Sequence, residues 1–468
     1  MSSSHEAKRK YADLDPIFNP KSVAILGATD KPGKVGHAIM QNYIDVGFSG
    51  SLYPININTT GSIMGHEAYR SILDVKAKID MAVISVPALA VPKVMDECGK
   101  AHVKGVVVVS GGFAEIGETK LQDKLVTISR KYNMPMIGPN CLGVMDIRAR
   151  NDTLFLPTFK IDKPKIGGVS FVSQSGSVGS TTLDLISGAG FGLSRFISYG
   201  NAAVVDEVDI LKYLSHDIHT QVIVFYMEGV KRGEEFVEVA KTATMLKPVV
   251  IIKAGSTEAG AGAAHSHTAS LAGSYEAYDA VFRQYGFVRA ADTDDLLDFA
   301  KIFDTQPLAT GNRIAVITNG GGHGVLATDA IYHNGLTLPQ LTKKTERILR
   351  KAMPPTVTIR MPLDIGGDAD SARFENALDA ISSDPGVDAL MVITLFQTPG
   401  ADDKVAESII GYGAKREKPV VVVSMGGSYT KSHIEVMENS GIPVYSSTTA
   451  AARSLAALIG YARYRNTK

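Results

Sequence analysis

SVAILGATDKPGKVGHAIM, residues Ser22–Met40, carries in 19 residues a pattern that recurs through this 468-residue chain. A short apolar run ends at Gly27, and a second segment with apolar spacing begins after Gly33. Strands that are apolar along their whole length are covered on both faces, as in the parallel sheets of α/β proteins. The stretch therefore predicts a buried strand, a glycine-rich turn and a helix.

The recurrence of this pattern indicates how many modules the chain contains. Related strands begin near Val23, Val169 and Ile314, which are 146 and 145 residues apart. Other buried runs, such as MAVISVP and GVVVVSGG, alternate with helical stretches, which is typical of α/β folds. We predict three successive doubly wound modules, Rossmann-like or flavodoxin-like, each built on a parallel sheet. Their expected bounds are residues 1–150, 151–306 and 307–468.

Composition excludes several classes of protein. The 48 basic and 48 acidic residues balance, so no net charge favours nucleic acid or an anionic membrane surface. The apolar runs have the length of strands and are too short to span a bilayer. The two cysteines, Cys98 and Cys141, form no CxxC pair, so we expect neither a disulfide framework nor a thiolate metal site. We expect a soluble, cytoplasmic protein.

The turn after the first strand does not match two common nucleotide-binding motifs. Gly27 and Gly33 are separated by five residues where a Walker A loop has four, and Val35 replaces the Ser or Thr that coordinates Mg²⁺. The second strand also lacks the acidic residue that binds the ribose of NAD. A helix N-terminus with free backbone N–H groups remains, which suits an anionic nucleotide such as coenzyme A. A purely structural turn is the alternative.

Two further turns are candidates for binding phosphate. Ser173, Ser175 and Gly176 precede a helix, where hydroxyls and backbone N–H groups meet the positive end of its dipole. The alternative is that the serines only cap the helix. In the third module, Gly321 and Gly322 belong to a glycine-rich turn that either binds a second phosphate position or packs closely without a ligand.

Polar side chains at other strand ends suggest chemistry around a carbonyl group and an imidazole. Glu228 ends a hydrophobic strand, where its carboxylate can orient an imidazole through Nδ1–H and leave Nε2 nucleophilic. Favourable placement near a helix N-terminus is the alternative. Asp206 is a second acidic candidate, and Asn140 can orient a carbonyl group. Cys141 follows Asn140, but nothing in the sequence lowers the pKa of its thiol, so we assign it no catalytic role.

Two histidines lie in a stretch almost without large side chains. From Ala254 to Gly273, every residue except Glu258, His265, His267 and Leu271 is Ala, Gly, Ser or Thr. Such a segment supplies little packing for a structural histidine and little rigidity for a metal site. It suits a histidine that carries a phosphoryl group between two sites, because imidazole nitrogen forms a covalent adduct that divides a transfer into two steps. An ordinary surface loop is the alternative.

With these residues in view, the chain resembles the α subunit of ADP-forming acyl-CoA (acetyl-CoA) synthetases, relatives of succinyl-CoA synthetase. The resemblance covers about residues 15–465, and its markers are SVAILGATDKPGKVG, GPNCLG, SQSGSVG, GNAAVVDEVD, FYMEG, SHTASLAGS, VITNGGGHGVLATDA and GIPVYSSTTAAARSLAALI. It implies the reaction acyl-CoA + ADP + phosphate ⇌ carboxylic acid + CoA + ATP, through an acyl phosphate and a phosphohistidine.

The resemblance also assigns roles to residues. The phosphohistidine falls on His267, the carboxylate that steadies it on Glu228, and a second acidic helper on Asp206. The phosphate-binding serine turn and the acyl site fall on residues named above, the acyl site on Asn140 and Cys141. Coenzyme A is expected on the first module, at Gly27, Ala28, Gly33, Lys34, Val35, Asn56, Val86 and Pro87.

Two departures from the family pattern, and one missing part, qualify these expectations. Ala269 replaces a glycine after His-Thr, and Asn56-Ile57-Asn58 replaces Asn-Pro-Lys, which puts the usual lysine contact with CoA in doubt. No stretch resembles an ATP-grasp domain. The resemblance therefore implies an ATP-grasp β subunit that holds ADP or ATP with Mg²⁺, and an α₂β₂ assembly. A non-catalytic CoA-binding regulator and a CoA transferase remain as alternatives.

Overall fold

The computed structural model describes residues 13–59, 61–257, 259–260, 274–309 and 311–467. The chain divides into two compact units. The first comprises Met1–Ser187 and Gly192–Tyr285, and the second comprises Gly188–Phe191 and Gly286–Lys468. The two histidines of the small-residue stretch, His265 and His267, lie outside the described residues.

The first sheet of the first unit consists of parallel strands in the order β2-β1-β5-β6-β7. Its strands are β1 (Ser22–Leu26), β2 (Ser51–Ile55), β5 (Met81–Ile84), β6 (Gly105–Val108) and β7 (Met136–Ile137), and a separate hairpin is formed by β3 (Ser62–Ile63) and β4 (His66–Glu67). The accompanying helices are α1 (Asp15–Phe18), α2 (Val35–Asp45), α3 (Val91–Lys100) and α4 (Thr119–Tyr132), with 3₁₀ turns at Ile72–Asp74, Ala88–Ala90 and Ala114–Ile116.

Close packing at the end of β1 requires a glycine. All five residues of β1 are buried, as expected for a strand covered on both faces. Helix α2 begins directly above its end, and a Cβ atom at Gly36 would overlap the carbonyl oxygen of Gly27. The glycine thus lets the helix N-terminus approach the strand end, where ligands of open α/β sheets bind.

The second sheet of the first unit continues the chain. Its strands are β8 (Gly143–Asp146), β9 (Asn151–Asp152), β10 (Ile166–Ser173), β11 (Leu193–Ser198), β12 (Val222–Met227) and β13 (Val249–Lys253). Within this unit they run in the order β13-β12-β10-β11-β8-β9, and β8 is antiparallel to β11. The helices are α5 (Gly176–Ser187), α6 (Glu207–His216), α7 (Gly233–Leu246) and α8 (Tyr275–Gln284).

Strand β8 lies before the domain boundary predicted after residue 150. It pairs with β11 from Ser198↔Gly143 to Arg195↔Asp146, so the second sheet includes residues from the predicted first domain. Strand β8 hydrogen-bonds with the backbone N–H and C=O groups at the edge of β11. No local pattern in Gly143–Asp146 indicates which sheet the strand joins.

The second unit contains one sheet in the order β16-β15-β17-β18-β19, with all pairs parallel. The strands of this sheet are β15 (Ile314–Thr318), β16 (Leu363–Asp364), β17 (Ala389–Ile393), β18 (Val420–Val423) and β19 (Val444–Tyr445), and the short strand β14 (Val288–Arg289) of this unit is not part of it. Its helices are α9 (Thr293–Thr305), α10 (Gly321–His333), α11 (Lys343–Ala352), α12 (Ser371–Ser382), α13 (Asp403–Gly413), α14 (Ser428–Asn439) and α15 (Thr448–Asn466). Helix α9 belongs to this unit although it precedes the boundary predicted at residue 306.

The three sheets share one topology, which confirms the predicted fold class. In each, the first parallel strand lies between the second and the third, so the strand order reverses beside it. Ligands of open α/β sheets bind at this reversal, beyond the carboxyl ends of the two central strands. In the second sheet these strands are β10 and β12, which end at Ser173 and Met227. Within the described ranges, no helix is long and apolar enough to cross a membrane.

Candidate functional site

The reversal point of the second sheet brings the serine turn beside Glu228. Ser173 on β10 lies opposite Tyr226 on β12, two residues before Glu228. The Gln174 side chain joins the two segments, because its Oε1 accepts the backbone N–H of Glu228 at 2.8 Å and of Gly229 at 3.2 Å. The predicted phosphate turn and the predicted imidazole-orienting carboxylate therefore belong to one site.

Within the serine turn, the hydroxyl groups have different tasks. Ser173 is buried, and its Oγ donates to the carbonyl oxygen of Ser175 at 2.6 Å, so it shapes the turn. The Ser175 hydroxyl lies 3.2 Å from that of Ser177, which is exposed at the first turn of α5. Gly176 is half-buried at the same helix start. The N-terminus of α5 thus offers hydroxyls and a positive dipole end to an anion.

The loop that carries Glu228 is held by side chains rather than by regular structure. Besides the two bonds to Gln174, the N–H of Val230 donates to Tyr278 Oη at 3.0 Å, and the N–H of Lys231 donates to Glu207 Oε1 at 3.0 Å. Four consecutive backbone N–H groups are therefore used within the protein. A loop fixed in this way can hold a catalytic carboxylate in one orientation.

Glu228 is buried, with 5% of its surface exposed. Burial lowers the pKa of the neighbouring Lys253, and the negative charge of Glu228 partly offsets that effect. The Lys253 ammonium donates to the Ala254 carbonyl oxygen at 2.6 Å and lies over the Tyr278 ring at 4.8 Å from its centroid. The site thus places a buried carboxylate near a buried cation, at the start of the stretch that contains the two histidines.

Asp206 has structural partners for both of its carboxylate oxygens. It caps α6, accepting the N–H of Val208 at 3.0 Å through Oδ1, and Arg232 Nε donates to Oδ2 at 2.7 Å. Arg232 also pairs with Asp209 at 2.7 Å. Asp206 thus anchors the segment that follows the Glu228 loop, and its role as a direct helper of the imidazole stays a prediction. In the part of the chain that the structure describes, no cluster of His, Cys, Asp and Glu could hold a metal ion.

Glu207, which sequence reasoning did not select, is an acid of this region with a strongly raised pKa. It is 1% exposed, and burial together with the charge of Asp206 raises its pKa to about 7. The carboxyl group faces the loop because Oε1 accepts the N–H of Lys231. Its neighbour Asp206 was predicted from its position in the motif. The sequence contains no local signal that Glu207 is buried.

This shift gives a prediction for the pH dependence of stability. The ordinary pKa is 4.5 and the folded value is about 7, so the folded protein holds a proton that the unfolded chain releases between these values. Stability must then fall as pH rises through this window, by up to about 3 kcal/mol above pH 7. We expect Glu207→Gln, which keeps the acceptor for Lys231, to melt a few degrees above the parent at pH 8 and level with it at pH 5.

Thermal unfolding of both proteins from pH 5 to pH 8 checks this expectation. The matched control is Glu234→Gln, since Glu234 is exposed near the start of α7. Its replacement should leave the difference in Tm between pH 5 and pH 8 the same as in the parent. A gap in Tm between Glu207→Gln and the parent that stays the same at every pH would show that Glu207 is not protonated in the folded state.

The turn that contains Asn140 packs closely against a turn of the second module. The N–H of Asn201 donates to the Pro139 carbonyl oxygen at 3.0 Å, and Asn140 Nδ2 donates to Asn201 Oδ1 at 3.2 Å. A Cβ atom at Gly200 would overlap the Asn140 carbonyl oxygen, and Gly200 has a φ of +55°. Asn140, itself exposed with a φ of +58°, therefore presents its amide where the first two modules meet.

Cys141 belongs to the packing beneath this turn. Its thiol is buried and donates to the Val108 carbonyl oxygen at 3.3 Å. Burial raises the pKa of the Cys141 thiol to about 12. A neutral, buried thiol is a poor nucleophile, in agreement with the absence of a catalytic assignment, and the amide of Asn140 is the accessible group of the expected acyl site.

The expected CoA residues divide into accessible and supporting groups. Gly33, Lys34 and Val35 are exposed at the start of α2, where N–H groups and a lysine charge suit a phosphate. Gly27 and Ala28 lie beneath them, and a Cβ atom at Gly27 would come within 2.8 Å of the Ser85 carbonyl oxygen. The first group can contact a ligand, whereas the second brings the strand end and the helix together.

Asn56, Val86 and Pro87 line the neighbouring strand ends. The Asn56 amide is used internally, because Nδ2 donates to the Ala28 carbonyl oxygen at 2.8 Å and Oδ1 accepts the N–H of Asn58 at 3.0 Å. Ser110 Oγ donates to the Val86 carbonyl oxygen at 2.6 Å, while Pro87 is exposed. Asn56 therefore ties two turns together, and its part in CoA binding stays a prediction.

The glycine-rich turn of the third module has an acidic neighbour. Gly321 and Gly322 open α10, and a Cβ atom at Gly321 would come within 2.6 Å of Asp364 Oδ2. Asp364 also accepts the N–H of Gly366 at 3.0 Å. Because a carboxylate already stands at this helix start, a phosphate would meet like charge there. A Cβ atom at Gly322 would meet no neighbour within 4 Å, so close packing applies to Gly321 alone, and the phosphate role of both glycines stays a prediction.

Comparison with protein families assigns all three modules. Residues 21–146 match a CoA binding domain, residues 166–303 a succinyl-CoA ligase-like flavodoxin domain, and residues 314–468 a ligase-CoA domain. These matches follow one another along the chain in the order of the three sheets.

Proteins of known name resemble the chain over nearly its whole length. The acetate–CoA ligase (ADP-forming) I subunit alpha of Pyrococcus furiosus is 40% identical over 460 residues, which are 97% of this chain and 98% of that protein. The 4-hydroxybutyrate–CoA ligase (ADP-forming) of Nitrosopumilus maritimus is 38% identical over 453 residues, which are 95% of this chain and 64% of that longer protein. A structure of Ca. Korarchaeum cryptofilum dinucleotide forming acetyl-coenzyme A synthetase 1, in complex with phosphate and ADP, superposes with a TM-score of 0.91 at 37% identity, covering 97% of this chain and 98% of that one.

These similarities confirm the resemblance read from the motifs. They extend through all three modules at an identity that leaves no doubt about common descent, and the α-subunit relative has nearly the same bounds as this chain. The chain belongs to the family of ADP-forming acetate–CoA ligase α subunits, and its second module is succinyl-CoA ligase-like.

Proposed function

We propose that this chain is the α subunit of an ADP-forming acid–CoA ligase that catalyses acyl-CoA + ADP + phosphate ⇌ carboxylic acid + CoA + ATP. The observation that carries the proposal is the junction of the serine turn with the Glu228 loop through Gln174. It supplies a phosphate-binding helix N-terminus beside a fixed, buried carboxylate, in a family whose members are named as ligases. A non-catalytic CoA-binding protein would have no use for this pairing.

The first step that we propose takes place where the first two modules meet. An oxygen of phosphate attacks the thioester carbonyl carbon, the C–S bond breaks, and the CoA thiolate leaves with the proton that phosphate releases. The α5 N-terminus with Ser175 holds the phosphate, and the Asn140 amide donates to the acyl carbonyl oxygen, on which negative charge develops. CoA lies along the first module, with its phosphates at the exposed start of α2.

In the second step, His267 takes the phosphoryl group. Nε2 attacks phosphorus, the bond from phosphorus to the acyl oxygen breaks, and the carboxylic acid leaves as a carboxylate. Glu228 accepts the Nδ1–H hydrogen bond, which fixes the tautomer and stabilises the positive charge that the ring acquires. Asp206 acts through Arg232, which it holds at the end of the Glu228 loop.

The last transfer needs a second polypeptide. We propose an ATP-grasp β subunit that binds ADP, with Mg²⁺ accompanying the nucleotide, and an α₂β₂ assembly in the cytoplasm. A terminal oxygen of ADP attacks phosphorus, the P–N bond to His267 breaks, and ATP leaves. Support comes from two relatives that are named as subunit alpha, and from a longer ADP-forming ligase, of which this chain covers 64%.

Reconstitution with the β subunit tests the proposal. We expect the assembled complex to form ATP from acetyl-CoA, ADP and phosphate, and to release CoA and acetate in equal amounts. Neither subunit alone should do so. A complex that binds acetyl-CoA but forms no ATP with any short-chain acyl-CoA would favour the regulator. Exchange of CoA between two acids without nucleotide would favour a transferase.

A further inference from the structure

A chain of hydrogen bonds connects a carboxylate of the first module to the Asn140 amide. Glu115 Oε1 accepts the N–H groups of Gly112 at 2.5 Å and Phe113 at 3.1 Å, and its Oε2 accepts Asn201 Nδ2 at 2.5 Å. Asn201 Oδ1 in turn accepts Asn140 Nδ2 at 3.2 Å. The chain therefore runs from Glu115 through Asn201 to Asn140.

The direction of every bond in this chain is set by the carboxylate. Burial works against the charge of Glu115, but the hydrogen bonds from Asn201 and from the two backbone N–H groups hold its pKa below the usual value. An ionised carboxylate only accepts, so Asn201 must turn its NH₂ group toward Glu115 and its Oδ1 toward Asn140. Asn140 must then turn Nδ2 toward Asn201. One N–H of Nδ2 donates to Asn201 Oδ1, and this bond fixes the direction of the other N–H.

The backbone of Asn201 is fixed as firmly as its side chain. Lys231 Nζ donates to the Asn201 carbonyl oxygen at 2.8 Å, and the Asn201 N–H donates to Pro139 at 3.0 Å. Gln122 Oε1 accepts the remaining hydrogen of Asn201 Nδ2 at 3.0 Å. Asn201 thus has no freedom to rotate its amide unless the partner at its far end changes.

We propose that Glu115 and Asn201 are positioning residues for the acyl site: they hold the Asn140 amide so that its nitrogen, and not its oxygen, faces the acyl carbonyl group. A donor fixed in advance toward a developing oxyanion lowers the barrier, whereas an amide free to flip would place an oxygen against that charge. The inference rests on the proposed function, since it takes Asn140 as the contact with the acyl group.

Isosteric changes separate this role from simple packing. A glutamine at 115 has one oxygen and one NH₂ group, so it can satisfy either the two backbone N–H groups or Asn201, but not both. Asn201→Leu has a similar size but removes the oxygen that accepts Asn140 Nδ2, so the Asn140 amide is free to turn. Both variants keep the shape of the network while removing its direction. The matched control is Glu118→Gln, since Glu118 is exposed three residues along and caps no helix with its side chain.

The test uses the complex with the β subunit and separates two partial reactions. Transfer of ³²P from γ-labelled ATP to His267 involves no acyl group, so Glu115→Gln and Asn201→Leu should be labelled as fast as the parent. ATP formation from acetyl-CoA, ADP and phosphate needs the acyl carbonyl, and we expect its kcat to fall at least about tenfold in both variants while KM for acetyl-CoA changes little. Glu118→Gln should match the parent in both reactions.

Each outcome either supports or overturns the inference. Equal kcat for parent and both variants would overturn the inference, and so would a parallel loss of labelling, because it would show a general structural role. The failure of the proposed function is distinguishable, since it appears in the parent complex as an absence of both labelling and ATP formation. Normal labelling with slow ATP formation in both variants supports the inference.

Discussion

Asparagine at position 267 is expected to abolish labelling of this chain by γ-³²P-labelled ATP in the complex with the β subunit. His267→Asn keeps a polar side chain of similar size but removes the ring nitrogen that, in the proposed mechanism, accepts the phosphoryl group. Without the covalent intermediate the transfer must occur in one step between separate sites, so ATP formation should fall at least about a thousandfold. Autoradiography of the separated subunits and a coupled assay of ATP measure the two effects.

His265→Asn is the matched control. His265 lies two residues away in the same stretch of small side chains, and the family resemblance places the phosphohistidine on His267 alone. We expect the His265 variant to be labelled and to form ATP within about twofold of the parent. Labelling that survives in His267→Asn and disappears in His265→Asn would move the phosphoryl carrier to His265.

The second large effect is expected for Glu228→Gln. Glutamine has the same shape and leaves the backbone bonds from residues 228 and 229 to Gln174 intact. It lacks the charge that stabilises a phosphorylated imidazole, and its NH₂ group can favour the wrong ring tautomer. An orienting carboxylate changed to its amide lowers turnover strongly, and we expect kcat for ATP formation to fall by about a hundredfold or more.

Glu234→Gln serves as the control for this variant, because it removes the same charge from an exposed position six residues along. It should leave kcat unchanged. The two expected results differ in kind as well as in size: the Glu228 variant should still accept label from ATP, slowly, whereas His267→Asn accepts none. Unimpaired labelling and turnover in Glu228→Gln would exclude Glu228 as the partner of the imidazole.

The sequence signals the residues that were predicted from motifs, but it does not signal the residues that only the structure identified. Ser175, Glu228 and Asn140 follow buried strands, and the ends of such runs are visible in the sequence. Gln174 and Asn201 also stand in quoted motifs, but nothing local distinguishes a glutamine or asparagine that bonds to a distant segment from one on the surface. Their partners are 54 and 86 residues away in the chain.

Strands, glycine turns and the repeat of three modules could be predicted from the chain as written, because β-branched runs, backbone freedom and motif spacing act over a few residues. The phosphoryl-carrying role of His267 stays a prediction. Which strands become neighbours was not predictable in this way. The reversal of order that sets β10 beside β12 depends on how whole crossovers pack against the sheet. That non-local packing brings the serine turn to Glu228, adds β8 to the second sheet, and gives the Asn140 amide its direction.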